Sequence, residues 1–283
     1  MKKLIRKLNE AAEAYYTYDR PIMSDREYDT LFDKLVALEE KTGIIMSNSP
    51  TQNVGGSVLE FLPKVKHSKP MLSAKKTKDI SEVNAFMKKA RIYASYKLDG
   101  LTLVLRYKNG NLEQAITRGR GDVGEEVTEA AKMIMNLPLS IPFKHELELR
   151  GECVIRWDNF EKINDSLEEP YSNPRNLAAG SIRVLNTNLA KERYLEFVVF
   201  ECVTDIGVLS KMECFKRLEA LGFTVVKRNF LDSAEMAVQT LLPEDYPYPV
   251  DGLIFEYDDR HFSKSLGATG HHEQCRIANF SRK

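Results

Sequence analysis

The chain has 283 residues, 43% of them apolar and 29% charged, with Lys+Arg and Asp+Glu balanced at 41 each. That length supports a sizeable core and two domains, and zero net charge excludes a whole-surface attraction to polyanions, so any such site must be a local patch. Cys153, Cys202, Cys214 and Cys275 form no Cys-x-x-Cys pair, no apolar run reaches membrane-spanning length and no signal-like segment opens the chain, so zinc ribbon, disulfide scaffold and membrane classes drop out and the cytoplasm is the expected setting.

Residues 1–65 read as a small helical module. Leu4, Ile5, Leu8, Ala11, Ala12 and Tyr15 recur at helical spacing, and Asp19-Arg20-Pro21 breaks the pattern. Ser24-x-x-Glu27 is a capping box opening a second helix with Leu31, Leu35 and Leu38 as its buried stripe and Gly43 as its C-cap. A polar loop follows. Residues 66–283 have a different character. Two β-rich runs, 101–107 and 112–118, flank Asn109-Gly110, which is a hairpin signal. Further strands are expected at 146–155, 195–203, 223–228 and 250–257, and helices at 125–135, 158–167, 175–185, 211–221 and 234–241. The fold class expected is α+β: a helical N-terminal domain, then antiparallel sheets flanked by helices.

Three short motifs carry chemistry. Lys97-Leu98-Asp99-Gly100 joins two strands, which puts an amine at a strand edge facing a cleft. Alone, the tetrapeptide reads equally as a surface lysine in a turn. Glu148-Leu149-Arg150-Gly151-Glu152 places three charged residues on one strand face, either a solvated face or a cleft wall; the cleft wall is favoured, because charges on an apolar core face are costly. Val250-Asp251-Gly252 supplies another carboxylate. A lysine nucleophile must shed its proton, and attack on a phosphoanhydride needs cations around the phosphate oxygens. Thr117-Arg118-Gly119-Arg120-Gly121 offers arginines in a glycine-rich loop, read as entering a helix. In the helical module Asp25, Tyr28 and Asp29 share a helix face, with Tyr15 and Tyr16 before them, a set able to hold a flat, cationic, hydroxyl-bearing ligand. The alternative for Asp25 and Asp29 is stabilisation of their own helix N-terminus. His271-His272 lacks a third ligand, so no metal site is expected. Trp157 and Phe160 read as core, and Lys75-Lys76-x-Lys78 and Lys88-Lys89 as solvated faces.

In these stretches the chain resembles the N-terminal half of bacterial NAD-dependent DNA ligases, over nearly its whole length and in order. Further matching stretches are Ser49-Pro50-Thr51-Gln52 with Gly55-Gly56, Pro70-Met71-Leu72-Ser73, and Asn173-Pro174-Arg175-Asn176 to Arg183. The resemblance implies an NMN-binding domain over 1–65 and a nucleotidyltransferase (ATP-grasp-like ligase) adenylation domain over 66–283, with the family's OB-fold, zinc, helix-hairpin-helix and BRCT regions absent. It implies that Lys97 attacks the α-phosphate of NAD, releases NMN and becomes lysyl-AMP for transfer to the 5′-phosphate of a nick in double-stranded DNA, with Mg2+ assisting. Lys97, Asp99 and Glu152 would be catalytic. Tyr15, Tyr16, Asp25, Tyr28 and Asp29 would hold NMN; Ser73, Arg118, Glu152 and Asp251 would line the adenylate site, and Arg175 and Arg183 would meet phosphate or nucleic acid. A monomer is expected.

Three positions depart from the family pattern: Ser95 where it usually has Glu, and Glu256 and Phe280 at positions matched to its phosphate-facing lysines. A carboxylate for a cation reverses the sign of a phosphate contact, with Lys264, Arg276, Arg282 or Lys283 as substitutes the spacing leaves open. These departures motivate a rival reading, a degenerate homologue that binds NAD or DNA without catalysis. Nucleotidyl transfer to RNA or protein is a third reading, opposed by the NMN-type module.

Overall fold

The computed structural model describes residues 1–16, 22–42, 49–52, 62–183, 192–230, 246–269 and 272–279, with the side chains of 12, 13, 15, 16, 25 and 52 left aside. The chain divides into two compact units, Met1–Leu62 and Pro63–Lys283.

In the first unit, α1 (Lys2–Tyr16) and α2 (Asp25–Thr42) pack through Ile5, Leu8 and Leu35, with Leu4, Leu31 and Phe32 around them. The capping box is present: Glu27 N–H donates to Ser24 Oγ at 3.3 Å, and Ser24 N–H donates back to Glu27 Oε2 at 2.9 Å. Two of the helix's otherwise unpaired amides are satisfied in this way. Gly43, the expected C-cap, lies outside the described residues.

The second unit is built on sheets. β1 (Lys64–Lys66) pairs with β6 (Val123–Glu125). A five-stranded sheet has the order β2 (Ser73–Thr77), β11 (His272–Asn279), β10 (Val250–Tyr257), β3 (Ile92–Leu98), β9 (Arg228–Phe230). A four-stranded sheet has the order β5 (Asn111–Thr117), β4 (Leu101–Lys108), β7 (Leu147–Val154), β8 (Glu196–Cys202). All pairings are antiparallel except β2 with β11. Helices α3 (Ile80–Met87), α4 (Thr128–Ala131), α5 (Trp157–Asn164), α6 (Pro174–Arg183), α7 (Lys211–Ala220) and α8 (Arg260–Leu266) flank the sheets. This is the expected α+β class. The largest core described joins Ala94, Tyr96 and Leu98 of β3 and Leu253, Phe255 and Tyr257 of β10 to Val154 and Val198 of the second sheet. The β4–β5 hairpin turns on Asn109 (φ 51°) and Gly110 (φ 81°), the paired left-handed conformation that Asn-Gly favours.

Several expectations are corrected. The helix expected at 125–135 shrinks to α4, because Glu125 is spent in β6 opposite Lys64; the glycine-rich loop therefore enters a strand first. The strand expected at 223–228 begins instead at Arg228. Trp157 is 44% exposed and meets Phe160 edge-on, so it is not core. The helix expected at 234–241 lies outside the described residues.

Candidate functional site

Lys97 is the penultimate residue of β3, and Asp99-Gly100 is the two-residue crossing from the five-stranded sheet into β4 of the other. Gly100 is required there: a Cβ on it would collide with the carbonyl oxygen of Cys153 on β7. Beside Lys97, β10 is irregular. Gly252 is paired with Lys97 and Val250 with Leu98, so Asp251 is the extra residue of a bulge. Bulges re-aim side chains, and this one delivers Asp251 to Lys97, whose Nζ donates to Oδ2 at 2.6 Å. Lys97 is thus held as one partner of an ion pair. The free amine needed for attack appears only once that proton leaves.

The four-stranded sheet supplies a further carboxylate near Lys97. Glu152 on β7 is 8% exposed, and burial pushes its carboxyl up to about 7. Against burial work a hydrogen bond from Thr102, the positive charges of Arg175 and Lys97, and the Gly100 amide. Arg118, one residue past β5, donates to Ser73 Oγ at 3.0 Å and to the Met71 carbonyl at 3.3 Å. The Arg118 carbonyl in turn lies 3.1 Å from Nε2 of buried His67. From α6, Arg175 donates to Asp99 Oδ1 at 2.9 Å, and Arg183 pairs with Glu125 at 3.2 Å.

Seven of the predicted residues gather in two places, while Arg183 stands apart with Glu125. Lys97, Asp99, Asp251, Glu152 and Arg175 form one linked group, while Arg118 and Ser73 form a pair of their own. The alternating charges of β7 are each engaged: Glu148 with Arg106 at 2.9 Å, Arg150 with Glu201 at 3.5 Å, Glu152 with Thr102 at 3.0 Å. In the helical unit Asp29 is exposed, while Tyr28 packs against the α1–α2 core and stacks on Phe32. Burial, with the Asp29 charge, raises the Tyr28 hydroxyl to about 12, and that oxygen has no hydrogen-bond partner among the described residues. The side chains of Tyr15, Tyr16 and Asp25 lie outside the described residues.

The departures from the family pattern acquire a structural setting. Glu256 is 5% exposed but not bare: it accepts from Tyr93 Oη at 2.8 Å and Lys211 Nζ at 2.5 Å, and Arg276 lies at 3.3 Å. Although burial opposes ionisation, Arg276 and Lys211 hold this carboxyl below its ordinary range. A cavity of about 300 Å3 opens beside this cluster, with Tyr93, Arg150, Lys211 and Arg276 in its walls and Lys97 not among them. Of the substitutes considered from sequence, Arg276 meets Glu256 and Lys264 also lines the cavity, while Arg282 and Lys283 lie outside the described residues; Lys211, on α7, carried no local signal. Ser95 is buried, and Phe280 lies outside the described residues. Thr102 and His67 were also invisible to motif reasoning, since their partners are 50 and 51 residues away. Among the described residues no group of three or more His, Cys, Asp and Glu could hold a metal ion, and no helix is long and apolar enough to cross a membrane.

Residues 59–280 match the family described as NAD-dependent DNA ligase adenylation domain, and residues 1–55 match the DNA ligase-like, N-terminal NAD+-binding domain. A DNA ligase of Lachnoclostridium phytofermentans is 42% identical over 93% of this chain and 42% of its own length. One from Ruminiclostridium cellulolyticum is 40% identical over 98% of this chain and 44% of its own length. The chain thus spans less than half the length of these curated relatives. Among solved structures, a mycobacterial DNA ligase D complexed with ATP and MES aligns with a TM-score of 0.45 at 14% identity, covering 76% of this chain and 60% of that one. By the family match over most of its length, the chain belongs to the NAD-dependent DNA ligase adenylation domain family, with the family's N-terminal NAD+-binding domain before it.

Proposed function

We propose that this chain carries out the first step of NAD-dependent DNA ligation. Lys97 Nζ attacks the α-phosphorus of NAD; the P–N bond of lysyl-AMP forms, the anhydride P–O bond breaks and NMN leaves with its electron pair. The lysine proton passes first to a carboxylate, with Asp251 in hydrogen-bond contact, and then to water. The observation that carries this reading is the convergence on Lys97: a bulge-delivered carboxylate beside it, Arg175 holding the neighbouring Asp99, and buried Glu152 feeling the charge of both cations. Arg118 with Ser73, and Glu152 from β7, are assigned to the adenosine. Tyr15, Tyr16, Asp25, Tyr28 and Asp29 are assigned to NMN, Arg175 and Arg183 to phosphate or DNA.

Mg2+ fits as an ion bound largely by substrate phosphates, the usual habit of that cation, with Asp99 or Glu152 as the nearby carboxylates; it would neutralise charge developing on the phosphate oxygens. The acceptor for the AMP group is the 5′-phosphate at a nick in double-stranded DNA. The domain boundary near residue 65, a monomeric state and a cytoplasmic setting belong to the same reading.

Intact-mass spectrometry after incubation with NAD and Mg2+, or with ATP and Mg2+, tests it. One AMP should be gained from NAD and none from ATP, and Lys97→Ala should gain nothing from either. An equal gain from ATP contradicts the donor assignment.

A further inference from the structure

Thr102 belongs to no motif, yet it joins two parts of the site. It lies directly opposite Glu152 in the β4–β7 pairing, so the two side chains share a sheet face. Its hydroxyl donates to Glu152 Oε2 at 3.0 Å. Its carbonyl accepts the N–H of Arg118 at 3.1 Å, fixing the point where the chain leaves β5 for the glycine-rich loop. A buried carboxylate keeps a single orientation only if donors hold it, and Glu152 has few: Thr102 and the Gly100 amide.

We propose that Thr102 is a positioning residue, its hydroxyl fixing the Glu152 carboxylate in the Lys97 cleft while its main chain anchors Arg118. The inference rests on the adenylation reading above, because the orientation of Glu152 matters to catalysis only if the cleft receives NAD. Burial alone would leave Glu152 largely protonated at neutral pH, and the Thr102 hydroxyl is foremost among the influences opposing it. Removing that hydroxyl therefore shifts Glu152 further towards its protonated form.

Thr102→Val keeps the branched shape and deletes only the hydroxyl; Thr102→Ser keeps the hydroxyl. A hydrogen bond to a charged group supports an expectation of roughly ten- to hundredfold slower adenylation from NAD at pH 7 in Thr102→Val. The acidic limb of its pH–rate profile should move to higher pH, with the rate partly recovered about pH 9. Thr102→Ser should restore both the rate and the limb. A limb unmoved in Thr102→Val, or Thr102→Ser as slow as Thr102→Val, overturns the proposal. If the unmodified chain itself gains no AMP, the adenylation reading fails on its own. Carbon-detected NMR titration of the Glu152 carboxyl, assigned with Glu152→Gln, still decides the positioning role: its midpoint must rise in Thr102→Val and return in Thr102→Ser, and an unchanged midpoint overturns it.

Discussion

Glu152 shows what a buried carboxylate costs the fold. Its carboxyl is raised from 4.5 to about 7, so between those values the folded chain binds more protons than the unfolded one. Stability therefore falls as pH rises through that window, and above it the ionised group costs on the order of 3 kcal/mol. Glu152→Gln should accordingly be more stable than the parent at about pH 8, by up to ~3 kcal/mol, the gain shrinking towards about pH 5. Urea midpoints at the two pH values measure this; a variant no more stable at the higher pH would contradict it. Lys97, Asp99, Arg118, Glu152 and Asp251 could all be picked out of the sequence because each sits in a motif. What the sequence could not show is how they are aimed. The bulge that frees Asp251 depends on the register between β10 and β3, two strands more than 150 residues apart along the chain, as the Lys97–Asp251 separation of 154 records.

Between elements, the telling contact is Lys211 of α7 with Glu256 of β10. Both are largely withdrawn from water, their side chains 18% and 6% exposed. Removing one partner of a buried pair leaves the other charge uncompensated, whereas replacing both is far milder. Lys211→Met should cost roughly 2–4 kcal/mol, softened by Arg276, and adding Glu256→Gln should recover most of it. Thermal denaturation of the two single variants and the double reads the coupling; simple additivity would show that the pair is idle. The same cluster explains an element that pattern reading missed. Strand β11 reads His-Glu-Gln-Cys-Arg-Ile-Ala-Asn, and the charges on its inner side hide the alternation a half-buried strand normally displays. Arg276 is interior because Glu201 and Glu256 receive it, at 3.3 Å each. Where local signals were strong, as with Ser24-x-x-Glu27 and Asn109-Gly110, the element was legible. Glu125 to Met135 misled because helix-forming residues there are partly diverted into pairing with β1.

At the scale of the molecule, the two units divide the proposed chemistry: the sheets hold the nucleophile, and the helices are assigned the leaving group. Asp29 offers a clean separation of those roles, being exposed on α2 and so dispensable to packing. Asp29→Ala should slow adenylation from NAD at least tenfold, since orienting a leaving group can contribute several kcal/mol. It should leave transfer of AMP from preformed lysyl-AMP to the 5′-phosphate of nicked DNA unaffected, because lysyl-AMP no longer contains NMN. Quench-flow or gel assays of the two half-reactions distinguish this from a structural defect, which would slow both.

The most direct test of the central claim is to find where AMP resides. After incubation with NAD and Mg2+, proteolysis and tandem mass spectrometry should locate a single adenylate on the peptide containing Tyr96-Lys97-Leu98, bonded to Lys97. An adenylate on any other residue, or a chain that binds NAD yet carries no adenylate, would contradict the account.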